Sequence, residues 1–259
     1  MNDNRPTFLG HSEPLYCCMI QARTPERART LIRNGLDGGC TAFGFQQCQL
    51  EPQYRDESTI RSLFEAMEGR PVYVTNYRGG RNAGQTDEEV SEGLVTLAGY
   101  GATLCDVMGD MFCRHPQEMT EDPAAIEKQL RLIERIHEAG GEVLMSSHVL
   151  KYTPAEEVLR IALEQQKRGA DVVKIVTAAN TEAEQMENLR ITSLLKETLD
   201  VPFLFLSGGS HYALHRMIGP MLGCVMYLCV TEYDELATKS QPLLSDVRAV
   251  RQHFPYISK

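Results

Sequence analysis

The 259-residue sequence predicts an α/β protein, a single-domain (β/α)8 TIM barrel that occupies residues 1–259. Eight strand-like runs alternate with eight helical stretches, which is the number of units that such a barrel requires. Four helix-to-strand junctions contain glycine, which tolerates the left-handed conformation at a helix end: RNGLDGG, GYGAT, EAGGE and KRGAD. The alternative, an open doubly wound sheet, would place a glycine-rich phosphate loop after the first strand, where this sequence reads IQARTPE.

The predicted strands are short runs of apolar and β-branched residues flanked by glycine or proline. In chain order we expect them at about 14–22, 40–46, 71–77, 102–109, 142–149, 172–179, 202–208 and 224–230. Their shortness favours strands over buried helices, because helices of globular proteins are longer. In a barrel, the carboxyl ends of the strands and the loops that follow them form the active site, so functional residues are expected there.

Helical patterns fill the intervals between the predicted strands. We expect helices at 24–36, 57–69, 86–99, 123–139, 154–168, 182–199, 211–222 and 241–254. Thr24-Pro25 and Thr153-Pro154 each place a capping hydroxyl before a proline at the first helical position. The Arg/Gly segment at 77–85 follows the third strand and is interpreted as a strand-to-helix loop.

Composition narrows the class of protein. The net charge of −9 argues against a nucleic-acid or anionic-membrane surface. No apolar run reaches the roughly 18 residues that a membrane helix needs, and the polar start MNDNRPTFLG has no signal-peptide pattern, so we expect a soluble cytoplasmic protein. The eight cysteines form no CxxC pair and have no histidine at zinc-finger spacing, which predicts structural thiols and no metal site.

One lysine stands out from the other six. Lys174 interrupts the apolar run DVVKIV, whereas the remaining lysines have polar surroundings. A lysine is rarely buried without a partner or a function, because desolvation disfavours its ammonium form. His148 lies near the end of the preceding strand, in LMSSHVL. Neighbouring strands are about 4.8 Å apart, so Lys174 as a nucleophilic amine and His148 as a general acid/base could act on one substrate. The alternative is that Lys174 forms a structural ion pair and that His148 is a buried core histidine.

Arginines and a glycine-rich loop follow other predicted strands. Arg78 and Arg81 come after the third strand, and Arg216 lies beyond the loop SGGS at 207–210. An arginine fork suits bidentate binding of a carboxylate or a phosphate, whereas a solvated surface residue is the alternative for Arg81. The backbone of SGGS before a helix could hold a phosphate, but four residues are a weak signal.

The sequence around these residues resembles the type I 3-dehydroquinate dehydratase family. The resemblance is carried by EVLMSSHVLKYTPAEEVLRIALEQQKRGADVVKIVTAANTEAE at 142–184 and continues through PFLFLSGGSHYALHRMIGPMLGCVMYLCV and Gln241-Pro242. It extends more weakly over PLYCCMIQARTPERA and PVYVTNYRGG. What this resemblance implies is a TIM barrel that is usually a homodimer, that needs no metal or organic cofactor and that dehydrates the keto acid 3-dehydroquinate through an imine.

The resemblance also implies roles for individual residues. Lys174 would be the Schiff-base lysine and His148 the general acid/base. Arg216 in LHRMIGP matches the carboxylate-binding arginine, Arg78 matches an arginine after the third strand, and Gln241 matches a glutamine on the loop that closes over the substrate.

The sequence departs from the family pattern at several of these places. Where the second strand should end in Glu-x-Arg-x-Asp it reads Phe43-Gly44-Phe45-Gln46-Gln47, so we expect Phe43 and Phe45 to line the substrate pocket. Asn82 stands where an acidic residue is expected after Arg78. Met108 stands where a second acidic residue is expected, at the end of the fourth strand, and Asp106 and Asp110 lie on either side of Met108. The Ser-Ala-Pro-Gly-Gln loop pattern is shortened to Thr238-Lys239-Ser240-Gln241.

Three hypotheses of function follow. The first is a Schiff-base lyase that eliminates water from a β-hydroxy ketone carboxylate such as 3-dehydroquinate or a less hydroxylated relative. The second is a class I aldolase, which would share the barrel and the lysine but cleave a carbon–carbon bond and favour a phosphate site. The third is a non-catalytic metabolite-binding or regulatory relative of the barrel, which the altered second strand favours and the retained Lys174 and His148 disfavour.

Overall fold

The computed structural model describes residues 6–254 and contains eight parallel strands that form a nearly closed barrel. The strands are β1 Leu15–Ile20, β2 Ala42–Gln46, β3 Val72–Thr75, β4 Leu104–Met108, β5 Glu142–His148, β6 Val172–Ala178, β7 Phe203–Gly208 and β8 Met226–Cys229. Each strand from β1 to β6 pairs with the next, and β1 also pairs with β8. Between β7 and β8, the amide of Val225 donates to the carbonyl of Phe203 at 2.9 Å. The predicted (β/α)8 barrel is confirmed.

Eight α-helices separate the strands along the described chain. They are α1 Pro25–Asp37, α2 Glu57–Glu65, α3 Asp87–Gly99, α4 Pro123–Glu138, α5 Ala155–Lys167, α6 Glu182–Thr198, α7 Ala213–Ile218 and α8 Leu244–His253. Four short 3₁₀ segments accompany them at Gln47–Gln49, Pro52–Tyr54, Gly80–Asn82 and Gly219–Leu222. Thr24 caps α1 as predicted, since its side chain accepts from the amide of Arg27 and Pro25 follows it. At α5, Pro154 lies before the helix in an extended conformation, and Thr153 makes no cap.

Three helices differ in length from their predicted spans, each for a local reason. Helix α2 ends at Glu65 because Glu68 and Gly69 adopt a left-handed turn with φ of 54° and 72°. Helix α7 is short because the chain tightens into the 3₁₀ turn at Gly219–Leu222, where Pro220 has no amide hydrogen. Helix α8 starts only at Leu244, because the preceding backbone continues pairing beyond β8, with Val230 donating to Pro242 at 3.0 Å.

Six cysteines belong to the buried apolar core: Cys17, Cys18, Cys40, Cys105, Cys224 and Cys229. All eight cysteines are free, and all but Cys113 are buried, in keeping with structural thiols. Within residues 6–254, no helix is long and apolar enough to cross a membrane. In the same range, no group of histidine, cysteine, aspartate or glutamate side chains is arranged to hold a metal ion. The ends of the expected 1–259 domain lie outside the described residues.

Candidate active site

A cavity of about 250 Å³ opens at the carboxyl ends of the strands, inside the mouth of the barrel. Seven strands or the loops after them contribute to its wall, and the loop after β8 covers part of it. The residues that line it are Met19, Gln46, Tyr73, Thr75, Tyr77, His148, Leu150, Lys174, Val176, Leu206, Gly208, Arg216, Leu228, Thr238, Ser240 and Gln241. This is the end of the fold at which (β/α)8 enzymes carry their active sites.

Lys174 projects from the middle of β6 into the floor of this cavity and is 3% exposed. Its Nζ lies 2.8 Å from Oδ2 of Asp106, which comes from β4 across the barrel interior. Nζ also donates to the hydroxyls of Tyr77 at 2.7 Å and Tyr73 at 2.9 Å. Three oxygen atoms therefore hold the ammonium group, whose burial would otherwise be unfavourable.

The charges of this cluster are balanced inside the barrel. Burial by itself would raise the pKa of Asp106, but the nearby charges of Lys174 and His148 lower that pKa below its usual value. Burial and the Asp106 carboxylate raise the pKa values of Tyr73 and Tyr77 well above 10. Both tyrosines are consequently neutral phenols that donate to Oδ2 of Asp106 and accept from Lys174.

His148, the last residue of β5, lines the same cavity and is oriented by Glu118. Oε2 of Glu118 lies 2.7 Å from Nδ1 of His148 and also accepts from the backbone amide of His148. A carboxylate in this position favours the proton on Nδ1 and leaves Nε2 as the free nitrogen. The Tyr77 ring packs edge-on against the imidazole, with centroids 5.3 Å apart, so Tyr77 contacts both His148 and Lys174.

Arg216 brings a buried positive charge to the cavity from α7. Its Nε donates to the carbonyl of Ser207 at 2.7 Å, and no carboxylate among the described residues pairs with it. Burial lowers the pKa of Arg216 to about 10, because no anion compensates for its desolvation. A buried guanidinium with free N–H groups in a cavity is a strong binding group for a carboxylate ligand.

The loop after β8 lies over the cavity and brings Gln241 into it. Gln241 is 7% exposed, and its Oε1 is buried without a hydrogen-bond partner among the described residues. The Gln21 side chain holds this loop, since its Nε2 donates to Thr238 Oγ1 at 2.9 Å and its Oε1 accepts from the Thr238 amide at 3.2 Å. The loop therefore covers part of the cavity and brings to it an acceptor that has no partner among the described residues.

Sequence comparison identifies the family to which this fold and site belong. A sequence model described as type I 3-dehydroquinase matches residues 76–256. The chain belongs to the type I 3-dehydroquinase family. Two relatives named 3-dehydroquinate dehydratase, from Listeria monocytogenes and Listeria welshimeri, are 27% and 31% identical over 175 residues. Each match covers 66% of this chain and 64% of the relative, so the chain matches less than two thirds of their length.

A solved structure supports the same assignment at the level of the fold. Type I 3-dehydroquinate dehydratase from Clostridium difficile superposes on this chain with a TM-score of 0.79. The two are 16% identical, and the superposition covers 94% of this chain and 93% of that one. The predicted membership of the type I 3-dehydroquinase family is confirmed.

The structure brings four of the predicted site residues of this family member to one cavity: Lys174, His148, Arg216 and Gln241. Arg78 lies elsewhere. Its guanidinium makes ion pairs of 2.6 Å with both Asp87 and Asp110, and the hydrogen bond to Asp87 contributes most to raising its pKa. Arg78 therefore fastens the loop after β4 to α3 and is not free to hold a substrate carboxylate.

Asn82 stabilises the loop after β3 by hydrogen bonds and does not line the cavity. Its side chain accepts from Arg55 at 2.7 Å and donates to Asn76 at 2.8 Å and to the carbonyl of Tyr77 at 2.9 Å. It is 1% exposed, so these bonds satisfy a fully buried amide. Asn82 was expected to contact the substrate, but it does not line the cavity. Its hydrogen bond to the carbonyl of Tyr77 holds a residue of the cluster around Lys174.

Phe43 and Phe45 point away from the cavity, contrary to our expectation. Both are buried against the helical layer: a Cβ at Gly35 of α1 would lie 2.9 Å from the Phe43 ring, and Phe45 stacks edge-on with Phe64 of α2. Successive side chains of a strand alternate between faces, so Gly44 and Gln46 are the residues of β2 that face the interior. The prediction that Phe43 and Phe45 line the substrate pocket is therefore wrong.

The SGGS loop offers little support for a phosphate site. Ser210 is bound to Asn180, with its amide donating to Oδ1 at 3.2 Å, and α7 begins only at Ala213. Gly208 borders the cavity, and the rest of the loop is bonded to the chain after β6, where the amide of His211 donates to the carbonyl of Ala179 at 2.9 Å.

Four residues of the site escaped the sequence analysis as participants: Tyr73, Tyr77, Asp106 and Glu118. For Tyr73, Thr75 and Tyr77 the signal was available, because the spacing of two places them on one face of β3. Asp106 interrupts the apolar run LCDVM just as Lys174 interrupts DVVKIV, which could have indicated that the two charges pair. No comparable signal existed for Glu118, which lies on the loop between β4 and α4 at φ 47°.

Proposed function

We propose that this protein is a Schiff-base-forming lyase that eliminates water from a β-hydroxy ketone carboxylate. The observation that carries the proposal is the convergence of Lys174, His148 and Arg216 on one cavity. Together they supply a nucleophilic amine, an acid/base group and a carboxylate-binding group. The relatives are named for 3-dehydroquinate, which makes this compound the first substrate to test.

In the proposed reaction the carboxylate of the substrate binds Arg216, and its ketone approaches Nζ of Lys174. The amine needed for attack forms when one proton moves from Nζ to Oδ2 of Asp106 across their 2.8 Å contact. Nζ then adds to the carbonyl carbon, and loss of water gives a protonated imine. Tyr73 and Tyr77 keep the nitrogen in place during these steps through their hydrogen bonds to it.

His148 then carries a proton from carbon to the leaving hydroxyl. Nε2 removes the proton next to the imine carbon, and the electron pair of the broken C–H bond moves toward the nitrogen to form an enamine. The enamine returns its electrons as the β-hydroxyl departs, and that hydroxyl takes the proton from His148 and leaves as water. Hydrolysis of the conjugated imine releases an enone and regenerates Lys174. These steps call on no metal or organic cofactor.

The test measures the formation of the enone from 3-dehydroquinate by its ultraviolet absorbance, in the wild type and in the variants Lys174→Met and His148→Asn. We expect no turnover for Lys174→Met and a loss of roughly 10²- to 10⁴-fold for His148→Asn. Lys151→Met is the matched control, because this lysine is exposed and only its backbone enters the hydrogen bonds around β6. Undiminished turnover in Lys174→Met would refute the imine mechanism.

A non-catalytic metabolite-binding protein is the second candidate, and one observation favours it. The ammonium of Lys174 has three oxygen partners within the barrel, an arrangement that a purely structural ion pair would also have. Binding of the ketone acid by calorimetry, without any enone and without any adduct at Lys174, would support this function over the lyase. The homodimer and the cytoplasmic location stay predictions.

A further inference from the structure

The cavity around Lys174 has two chemically different halves. On one side, β3, the loop that follows it and β5 contribute polar side chains to its wall, among them Thr75, Tyr77 and His148. On the other side, the strands β6, β7, β8 and β1 follow one another around the barrel, and a backbone hydrogen bond from Val225 to Phe203 spans the seam between β7 and β8. The strand side chains that face the cavity above Lys174 on this side are all apolar, whereas Arg216 of α7 and the loop residues Thr238, Ser240 and Gln241 reach the cavity from beyond the strand ends.

This apolar half consists of Val176, Leu206, Leu228 and Met19, one residue from each of four successive strands. Each is 6–7% exposed, as expected for side chains that border a cavity instead of being sealed in the core. None of them can donate or accept a conventional hydrogen bond, apart from the weak thioether acceptor of Met19. We call this surface the apolar arc.

The part of β2 next to the apolar arc presents no charged group to the cavity either. At Gly44 an added Cβ would lie 2.1 Å from Sδ of Met19, so the methionine side chain fills the place where a side chain of β2 would enter the cavity. The next inward residue, Gln46, is engaged elsewhere: its Oε1 accepts from Gln21 at 2.8 Å, and its Nε2 donates to Sγ of Cys48. Neither position presents a charge to a ligand.

We infer that the substrate of the proposed lyase is a two-sided ketone carboxylate whose edge facing the apolar arc carries no hydroxyl group. This inference rests on the proposed function and narrows its substrate class. A hydroxyl buried against the arc would lose its hydrogen bonds to water and gain none from the four side chains of the arc. The carboxylate, the ketone and the leaving hydroxyl are served by Arg216, Lys174 and His148, which lie outside the arc.

The experiment compares two ketones of the same carbon frame. They are 3-dehydroquinate, which has three hydroxyls, and 3-oxocyclohexane-1-carboxylate, which has none. Each is titrated against the full-length protein with sodium cyanoborohydride, which reduces the imine to a stable amine, and intact-mass spectrometry gives the labelled fraction. We expect the hydroxyl-free ketone to reach half-maximal labelling at a concentration at least about tenfold lower.

Variants of Met19 test the assigned surface itself. Met19→Gln introduces a hydrogen-bonding amide of similar length and should reduce the preference for the hydroxyl-free ketone, whereas Met19→Leu keeps the arc apolar and should retain it. Equal labelling, or better labelling by 3-dehydroquinate in the wild type, would overturn the inference and leave the Schiff-base function standing. If neither ketone labels Lys174, the proposed function fails and the inference fails with it.

Discussion

At the scale of single residues, the pairing of Lys174 with Asp106 organises the site. Each interrupts an otherwise apolar strand, and they meet across the barrel interior with Nζ and Oδ2 2.8 Å apart. Removing one partner would leave an uncompensated buried charge, which typically destabilises a protein by about 3–5 kcal/mol. The pair is therefore both a structural requirement of the barrel and the resting state of the proposed nucleophile.

Glu118 provides a residue-scale prediction, because it contacts His148 but not Lys174. In Glu118→Gln the imidazole loses the carboxylate that fixes its tautomer, so exchange of the substrate α-proton with deuterated solvent should slow by roughly 10²-fold. Imine formation at Lys174 does not use His148 and should be unchanged. The two steps are measured separately: NMR follows the exchange of the α-proton, and labelling in the presence of cyanoborohydride follows imine formation.

Glu121→Gln is the matched control for the separate effects on proton exchange and imine formation. Glu121 lies on the same loop, is 74% exposed at its side chain and pairs only distantly with Arg160, at 3.5 Å. We expect it to leave both steps unaltered. Parallel losses of exchange and labelling in Glu118→Gln would show that the residue merely maintains the fold of the loop.

At the scale of secondary-structure elements, α7 positions Arg216 and buries its neighbour His215. His215 is 1% exposed; Nε2 lies 2.9 Å from Oγ1 of Thr192, Nδ1 has no hydrogen-bond partner within residues 6–254, and its ring packs edge-on with Phe205. Burial, with a smaller contribution from the Arg216 charge, lowers the pKa of His215 from 6.5 to about 3. The imidazole is therefore neutral in the native state over most of the pH range.

A pH-dependent stability follows from His215. The unfolded chain binds a proton at this residue below about pH 6.5 and the native chain only near pH 3, so stability is lost as the pH falls through this window. The full effect is on the order of 5 kcal/mol at 1.36 kcal/mol per pKa unit. His215→Gln should flatten the pH dependence of the free energy of unfolding between pH 6.5 and 3, measured by urea titrations. His253→Gln, at an exposed residue of α8, should leave the slope as in the wild type, and an equal flattening there would contradict the assignment.

The second strand shows where the sequence could not predict an element in detail. The strand itself was expected at 40–46 and lies at Ala42–Gln46, because its apolar content and flanking turns are local properties. Which of Phe43 and Gly44 faces the cavity depends on a register of one residue, and both faces of a barrel strand are buried. Alternating polarity, which would settle the register in a half-exposed strand, is therefore missing.

At the scale of the whole molecule, periodicity and glycine junctions were enough to predict the barrel, and the position of Lys174 was enough to locate its cavity. The partners of Lys174 come from β3 and β4, about 70 to 100 residues earlier in the chain. Such contacts become visible only when the barrel closes, as does the division of its mouth into a polar half and the apolar arc. Arg78 and Asn82 were misplaced for the same reason, since their partners Asp110 and Arg55 are remote in sequence.

The central claim is that Lys174 forms an imine with a ketone carboxylate, and hydride trapping on the full-length protein tests it most directly. Wild type treated with sodium borohydride and a ketone carboxylate, followed by peptide mass mapping, should carry the mass of the reduced ligand on Lys174. Lys174→Met should carry none, and Lys151 should stay unmodified in both. Absence of the adduct with every ketone carboxylate tested, or its appearance on another lysine, would contradict the account.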